Sequence, residues 1–159
     1  MDEELDLTEP SSKLGRNKLQ KVTMEVLYAV LTYIDMGEPV DVENIISSLF
    51  EEDYEDCPFF TKAVTIMAIK KYDEIIKTFN ANMRKWTFDR LNRVEQAILM
   101  LAYVHFYYVE PDVDKSVVID VAIKLAKSYL DMGFDKVKNK EKGDYQFVNA
   151  ILDKTLVRK

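Results

Sequence analysis

The chain holds a single cysteine, Cys57, and a single histidine, His105. One cysteine can neither close an intramolecular disulfide nor build a cysteine-rich zinc site. One histidine excludes multi-histidine metal sites, and His105 falls on an apolar stripe with Leu101 and Tyr108, where a half-buried structural ring is expected rather than the base of a triad. Glycines number only four, Gly15, Gly37, Gly133 and Gly143. They are scattered at expected helix ends and form neither a G-x-G-x-x-G motif nor a P-loop, so nucleotide-driven chemistry is not expected. No apolar run approaches the ~18 residues of a membrane span, and no signal-peptide pattern is present. A cytoplasmic protein with no membrane role is expected.

Positive charge is also in short supply, since the net charge is −6. A polyanion-binding surface would therefore have to be a local patch working against the field of the whole molecule. The carboxylates run together: Asp2, Glu3, Glu4, Asp6 and Glu9 near the start, and Glu51, Glu52, Asp53, Glu55 and Asp56 in a linker. An acid/base pair needs two carboxylates converging in a cleft, whereas contiguous runs read as solvated faces. Residues 1–13 are expected to be an acidic, flexible tail. No catalytic residue, metal ligand or cofactor is assigned, and Cys57, beside Pro58 and Phe59, is read as a small apolar packing residue.

Hydrophobic residues make up 48% of the 159 and charged residues 31%, which with so little Gly and Pro points to one helical domain. Leu19, Val22, Val26 and Val30, widened by Leu27, Leu31 and Ile34, repeat with helical period and end at Gly37 and Pro39. Asp41 can cap a short second helix through about Phe50. A long third helix is expected from Pro58 to Phe79, with Phe60, Val64, Met67, Ala68, Ile75 and Phe79 on one side. The strongest apolar helix runs from Leu91 to Tyr108, with Asp89 in its first turn, and Pro111 stops it. Asp114 can cap the next, closed by Gly133, and Asp144 the last, which carries Phe147, Val148, Ile151 and Leu152. The β-branched run Val117–Val121 leaves a strand open, although the Ala-Ile-Lys-Leu-Ala-Lys that follows favours helix. Six helices joined by short connections make an all-α bundle. Tyr103, Phe106, Tyr107 and Tyr108 would form a base-stacking cluster only if neighbouring helical positions shared a direction, so packing roles are expected for them.

Three strings raise the reading above a bundle: Asp89-Arg-Leu-Asn-Arg-Val-Glu-Gln-Ala-Ile-Leu-Met-Leu-Ala-Tyr103, Ile119-Asp-Val-Ala-Ile-Lys-Leu-Ala-Lys127 and Phe147-Val-Asn-Ala-Ile-Leu-Asp-Lys154. In this order and spacing, with Val26-Leu-Tyr28 before them, they resemble the NusB family of transcription antitermination factors over roughly residues 14 to 157. The resemblance implies two packed three-helix halves within a domain spanning 14–159, and a non-catalytic adaptor. Such an adaptor would pair with NusE, a small-subunit ribosomal protein, and hold boxA-type single-stranded RNA in a transcription elongation complex. For RNA it implies Arg16, Lys18 and Lys21 at the start of helix one, then Tyr129, Gln146 and Phe147; for the partner it implies Tyr28, Asp89 and Glu95.

Several residues depart from the family pattern. Gln20 stands where the family carries an arginine, Gln146 where a lysine is common, and Ala150, Val121 and His105 where glycine, glutamate and an acidic residue are usual. A lysine-rich insertion near 131–144 brings Lys136, Lys138, Lys140 and Lys142, which can be phosphate contacts or a plain surface loop. Phe147 also sits on an apolar stripe with Ile151, so stacking on a base and packing remain alternatives. The competing functions are a diverged scaffold or homodimer without RNA binding, and the NusB-like module of an RNA cytosine methyltransferase, for which the chain shows no cofactor-binding α/β region.

Overall fold

A computed structural model of the chain describes residues 15–130 and 143–158, with seven α-helices and no strand among them. The acidic stretch 1–13, Gly133 and the four lysines from Lys136 to Lys142 lie outside the described residues. The helices are α1 (Gly15–Met36), α2 (Val42–Phe50), α3 (Phe59–Lys70), α4 (Tyr72–Ala81), α5 (Arg93–Val104), α6 (Lys115–Leu130) and α7 (Gly143–Thr155). The all-α expectation holds, and the β-branched run Val117–Val121 lies within α6.

Helix α1 carries two buried stripes. Met24, Leu27 and Leu31 join the main core with Val64 and Ala68 of α3, Ile75 and Phe79 of α4, and the apolar faces of α5, α6 and α7. Val26 and Val30 turn to a smaller cluster with Ile45, Ile46 and Cys57. Cys57 is buried as expected, and burial pushes its thiol above the ordinary range. Asp41 caps α2 by accepting the Asn44 N–H at 3.1 Å, and Gly37, at φ 73°, closes α1 in the left-handed conformation that a side chain would oppose.

Four local features differ from the sequence expectation. The long third helix is two helices, interrupted at Lys71 with φ −105° and ψ 18°. Lys70 ends α3, while Asp73 and Glu74 stand in the first turn of α4, so each short helix has charges that complement its own dipole. At the start of α5 the cap is Asn92, and Asp89 belongs to a preceding 3₁₀ turn, Phe88–Arg90, not to the helix. Helix α7 begins at Gly143, so Asp144 lies inside its first turn and not before it.

The fourth feature is a π turn, His105–Val109, continuing α5 and closed by the Glu110 N–H on the His105 carbonyl at 3.0 Å. The wider turn brings both Tyr107 and Tyr108 against Tyr103, at 4.7 and 6.5 Å between ring centres. The divergence expected of neighbouring positions holds for a 3.6-residue turn and fails in this one. His105 is buried more fully than expected, its Nε2 2.8 Å from Glu110 Oε1. Tyr107 Oη donates to the Thr155 carbonyl at 3.0 Å and accepts the Val157 N–H at 2.9 Å, fastening the chain end.

Glu74 Oε2 accepts hydroxyls from Tyr103 at 2.8 Å and Tyr108 at 2.6 Å, joining α4 to the end of α5 and to the π turn. The Tyr108 hydroxyl is pushed up to about 12, first by its bond to Glu74 and then by burial. Glu74 moves the other way: the Tyr108 hydroxyl, then Tyr103 and Lys71, hold its carboxyl below the ordinary range against the opposing effect of burial. A carboxyl depressed in the folded state contributes stability above its ordinary pKa of 4.5, and that contribution disappears as pH falls through the folded value. Glu74→Gln should therefore lower the unfolding free energy by about 1 kcal/mol at neutral pH. In urea titrations over a pH series, its deficit against wild type should shrink below pH 4.5.

Candidate nucleic-acid and partner surfaces

The first turn of α1 is open to solvent: Gly15, Arg16, Asn17 and Lys18 are all exposed, and no acidic residue stands among them. A helix N-terminus with unsatisfied N–H groups and cations attracts anions. One turn on, exposed Lys21 places Nζ 5.5 Å from the ring centre of Tyr129, near the end of α6. The Tyr129 hydroxyl donates to Glu25 of α1, and burial first, then Glu25, raises its pKa above the ordinary phenol value. Lys21, Glu25 and Tyr129 thus form one joint between α1 and α6. On another side of α6, Lys127 lies 4.8 Å over the ring of Tyr145 of α7.

Of the residues assigned to RNA, the structure brings Lys21 and Tyr129 into contact and leaves Arg16 and Lys18 exposed on the same helix. Gln146 is exposed on α7, and Phe147 is half-buried, packed against the main core with part of its ring still accessible. Gln20, at the position of the absent arginine, turns inward. It is buried, its Oε1 has no hydrogen-bond partner among the described residues, and it lines a void of about 10 Å³ with Leu101, His105 and Val121. Lys127 and Tyr145 went unread in sequence because the cation and the ring lie on different helices.

The residues assigned to a protein partner gather around the other half of α1. Tyr28 is 43% exposed, a surface residue and not a core one. Arg93 opens α5 and reaches back to α1, with Nη1 3.0 Å from Thr32 Oγ1 and Nη2 2.6 Å from Asp35. Asp89 is exposed and accepts the Thr87 hydroxyl. The Tyr72 hydroxyl feels the surrounding charges: burial raises its pKa first, then Asp35 and Asp73, while Arg93 opposes them and Asp89 adds to them. Asp35, Asp73 and Asp89 therefore form an acidic rim, suited to a basic protein. Asp35 and Asp73 escaped the sequence reading because only the fold makes them neighbours of Asp89.

Glu95 stands differently. It is 8% exposed, and its Oε1 accepts the Asn92 N–H at 3.3 Å while Asn92 Oδ1 accepts the Glu95 N–H at 2.8 Å. The two complete a capping box. Elsewhere a cleft of about 530 Å³ lies beside Arg158, whose guanidinium covers Phe106 at 3.8 Å and donates to the Phe106 and Val113 carbonyls. Among the described residues no cluster of three or more His, Cys, Asp or Glu could hold a metal ion, and no helix is long and apolar enough to cross a membrane.

Residues 17–156 match the model of the NusB family. The transcription antitermination protein NusB of Treponema denticola is 39% identical over 94 residues, which is 59% of this chain and 61% of that protein. Its counterpart from Finegoldia magna is 28% identical over 151 residues, covering 92% of this chain and 96% of that one. Among solved structures, T. maritima NusB has the same fold, with a TM-score of 0.66 at 23% identity over 89% of this chain and 90% of its own.

The capping box makes a direct prediction. Asn92→Ala should cost about 1 kcal/mol in thermal or urea unfolding by exposing the start of α5. Glu95→Gln, which keeps an oxygen for the Asn92 N–H, should cost less than half as much.

Proposed function

The chain belongs to the NusB family, and on that premise we propose that it is a non-catalytic transcription antitermination adaptor. It binds boxA-type single-stranded RNA together with a NusE-type ribosomal protein in the transcription elongation complex. The observation that carries this reading is the exposed, acid-free first turn of α1 leading to the Lys21–Tyr129 contact. Arg16, Lys18 and Lys21 supply phosphate contacts and are joined by Tyr129, Gln146 and Phe147, which supply ring and amide contacts. Lys136, Lys138, Lys140 and Lys142 belong to the same proposal as further phosphate contacts. Tyr28, Asp89 and Glu95, with Asp35 and Asp73, form the partner surface. Its negative charge attracts a basic protein, and Glu95 contributes chiefly by fixing the start of α5.

One observation favours a second reading, a scaffold or homodimer that has lost RNA binding. Gln20 stands where the family carries an arginine and is buried, so α1 lacks that cation, in a molecule of net charge −6. The two readings separate in fluorescence anisotropy of a labelled boxA-like RNA, titrated with and without a NusE-type partner across a salt series. Binding should be selective against a scrambled RNA and tighter with the partner. The three α1 cations should contribute about −2 to the log–log salt slope, at about −0.7 per phosphate, and lysines of the 136–142 stretch in contact would steepen it further. The double variant Arg16→Ala, Lys18→Ala should weaken binding roughly tenfold and flatten that slope by about 1.4. No selective binding with the partner present would leave the scaffold reading.

A further inference from the structure

The segment joining α4 to α5 gives Asp89 to the proposed partner face, and its basic and aromatic residues have no part in either proposed face. Arg84, Lys85 and Arg90 flank Trp86, the one tryptophan of the chain, and all four residues are exposed, Trp86 by 50%. The Arg90 guanidinium lies over the indole, 5.7 Å from the ring centre. Among the described residues none of the three cations forms an ion pair with a carboxylate.

The segment is nonetheless anchored. Phe88 is 2% exposed and stacks on Phe79 at 5.8 Å; its N–H donates to Asn80 Oδ1 at 2.7 Å, and its carbonyl accepts Gln96 Nε2 at 2.8 Å. Its acid, Asp89, is engaged by the Thr87 hydroxyl and acts on Tyr72. An indole is thus held half in water, between unpaired cations, on a fixed support.

We propose that Trp86, with Arg84, Lys85 and Arg90, is a second contact site for single-stranded RNA. The indole stacks on a base and the cations take the neighbouring phosphates. Every base has a face that an indole can cover, so the site is tolerant of sequence. A basic protein is the poorer occupant, because the three cations repel it while the acidic rim next to them attracts it. Charge therefore divides the two neighbouring surfaces between two kinds of partner.

The new site is remote from the first. The Arg93 contacts tie the start of α5 to Thr32 and Asp35, and the axis of α1 from Arg16 to Thr32 is about 24 Å long. A strand held at the start of α1 reaches Trp86 only by running past the boxA-type element, and to that extent the inference rests on the RNA-binding reading.

As the sole tryptophan, Trp86 reports on its own site. The full chain, alone and with a tryptophan-free NusE-type partner bound, would be titrated with a short boxA-like RNA, with the same RNA extended by uridines at both ends, and with plain oligouridine. Indole emission and anisotropy are followed together. The extended RNA should quench the indole and bind more tightly than the short one. Trp86→Ala should abolish that gain, a loss of roughly 5- to 100-fold on the scale of base–aromatic stacking, and Trp86→Phe should retain part of it. The double variant Arg84→Ala, Lys85→Ala should flatten the salt slope of the extended RNA by about 1.4. Affinity for the short RNA should stay the same in every variant, with circular dichroism confirming the fold.

If the short RNA binds but extension changes neither emission nor affinity, this inference falls and the proposed function stands. If the short RNA fails while oligouridine quenches wild type and loses affinity in Trp86→Ala, the proposed function falls and the site stands. Quenching by a NusE-type protein or an acidic peptide, with no response to any RNA, would assign the surface to a protein and overturn the inference. A blank with every RNA overturns both.

Discussion

Every residue of α5 from Glu95 to Val104 is buried, and a helix enclosed on all sides cannot leave its ends to water. Its unsatisfied N–H and carbonyl groups have to be completed by the protein itself. At one end the Asn92–Glu95 box does this; at the other the helix widens into the π turn and closes on the Glu110 N–H. The surrounding helices follow from the same requirement, since α1, α3, α6 and α7 each bury an apolar face against this rod. Arg93, just inside the capped end, then reaches across to Thr32 and Asp35. The acidic rim is in this sense an outer consequence of how the central helix begins.

Much of this was legible in the residue pattern, for a physical reason. Apolar periodicity reports which face of a helix is buried, so the order of helices and the broad buried face of α1 could be read from it, while its division between two clusters could not. The break at Lys71 could not, because Val64, Ala68, Ile75 and Phe79 keep one continuous helical spacing across it. The signal lay in charge instead, with lysines at 70 and 71 followed by acids at 73 and 74. Hydrophobicity alone is silent about the π turn as well, since it changes direction without changing composition.

The candidate surfaces were legible to a different degree. The exposed positions of Tyr28, Asp89, Arg16 and Lys18 came from a family resemblance and not from periodicity, and the fold leaves all four accessible. Gln20 and Glu95 show what a one-dimensional reading loses: both are polar and helical, one at a position where the family carries an arginine and the other read as a partner contact, and both are buried. Their neighbours decide the matter, an apolar wall for Gln20 and a helix start for Glu95. Contacts such as Lys127 with Tyr145, or Asp35 beside Asp73 and Asp89, exist only once distant segments meet.

The bare opening turn of α1 has an implication for how tightly anything can be held there. Its four residues are exposed, so among the described residues their backbone order is maintained chiefly by the hydrogen bonds of the next turn, and their amide protons should exchange with solvent far faster than those of α5. An anion seated on those N–H groups would have to freeze that fraying before gaining its full attraction, and part of the binding enthalpy would be offset by lost chain entropy. Affinity at this end of the molecule is therefore governed as much by the stiffness of one helical turn as by the number of its cations.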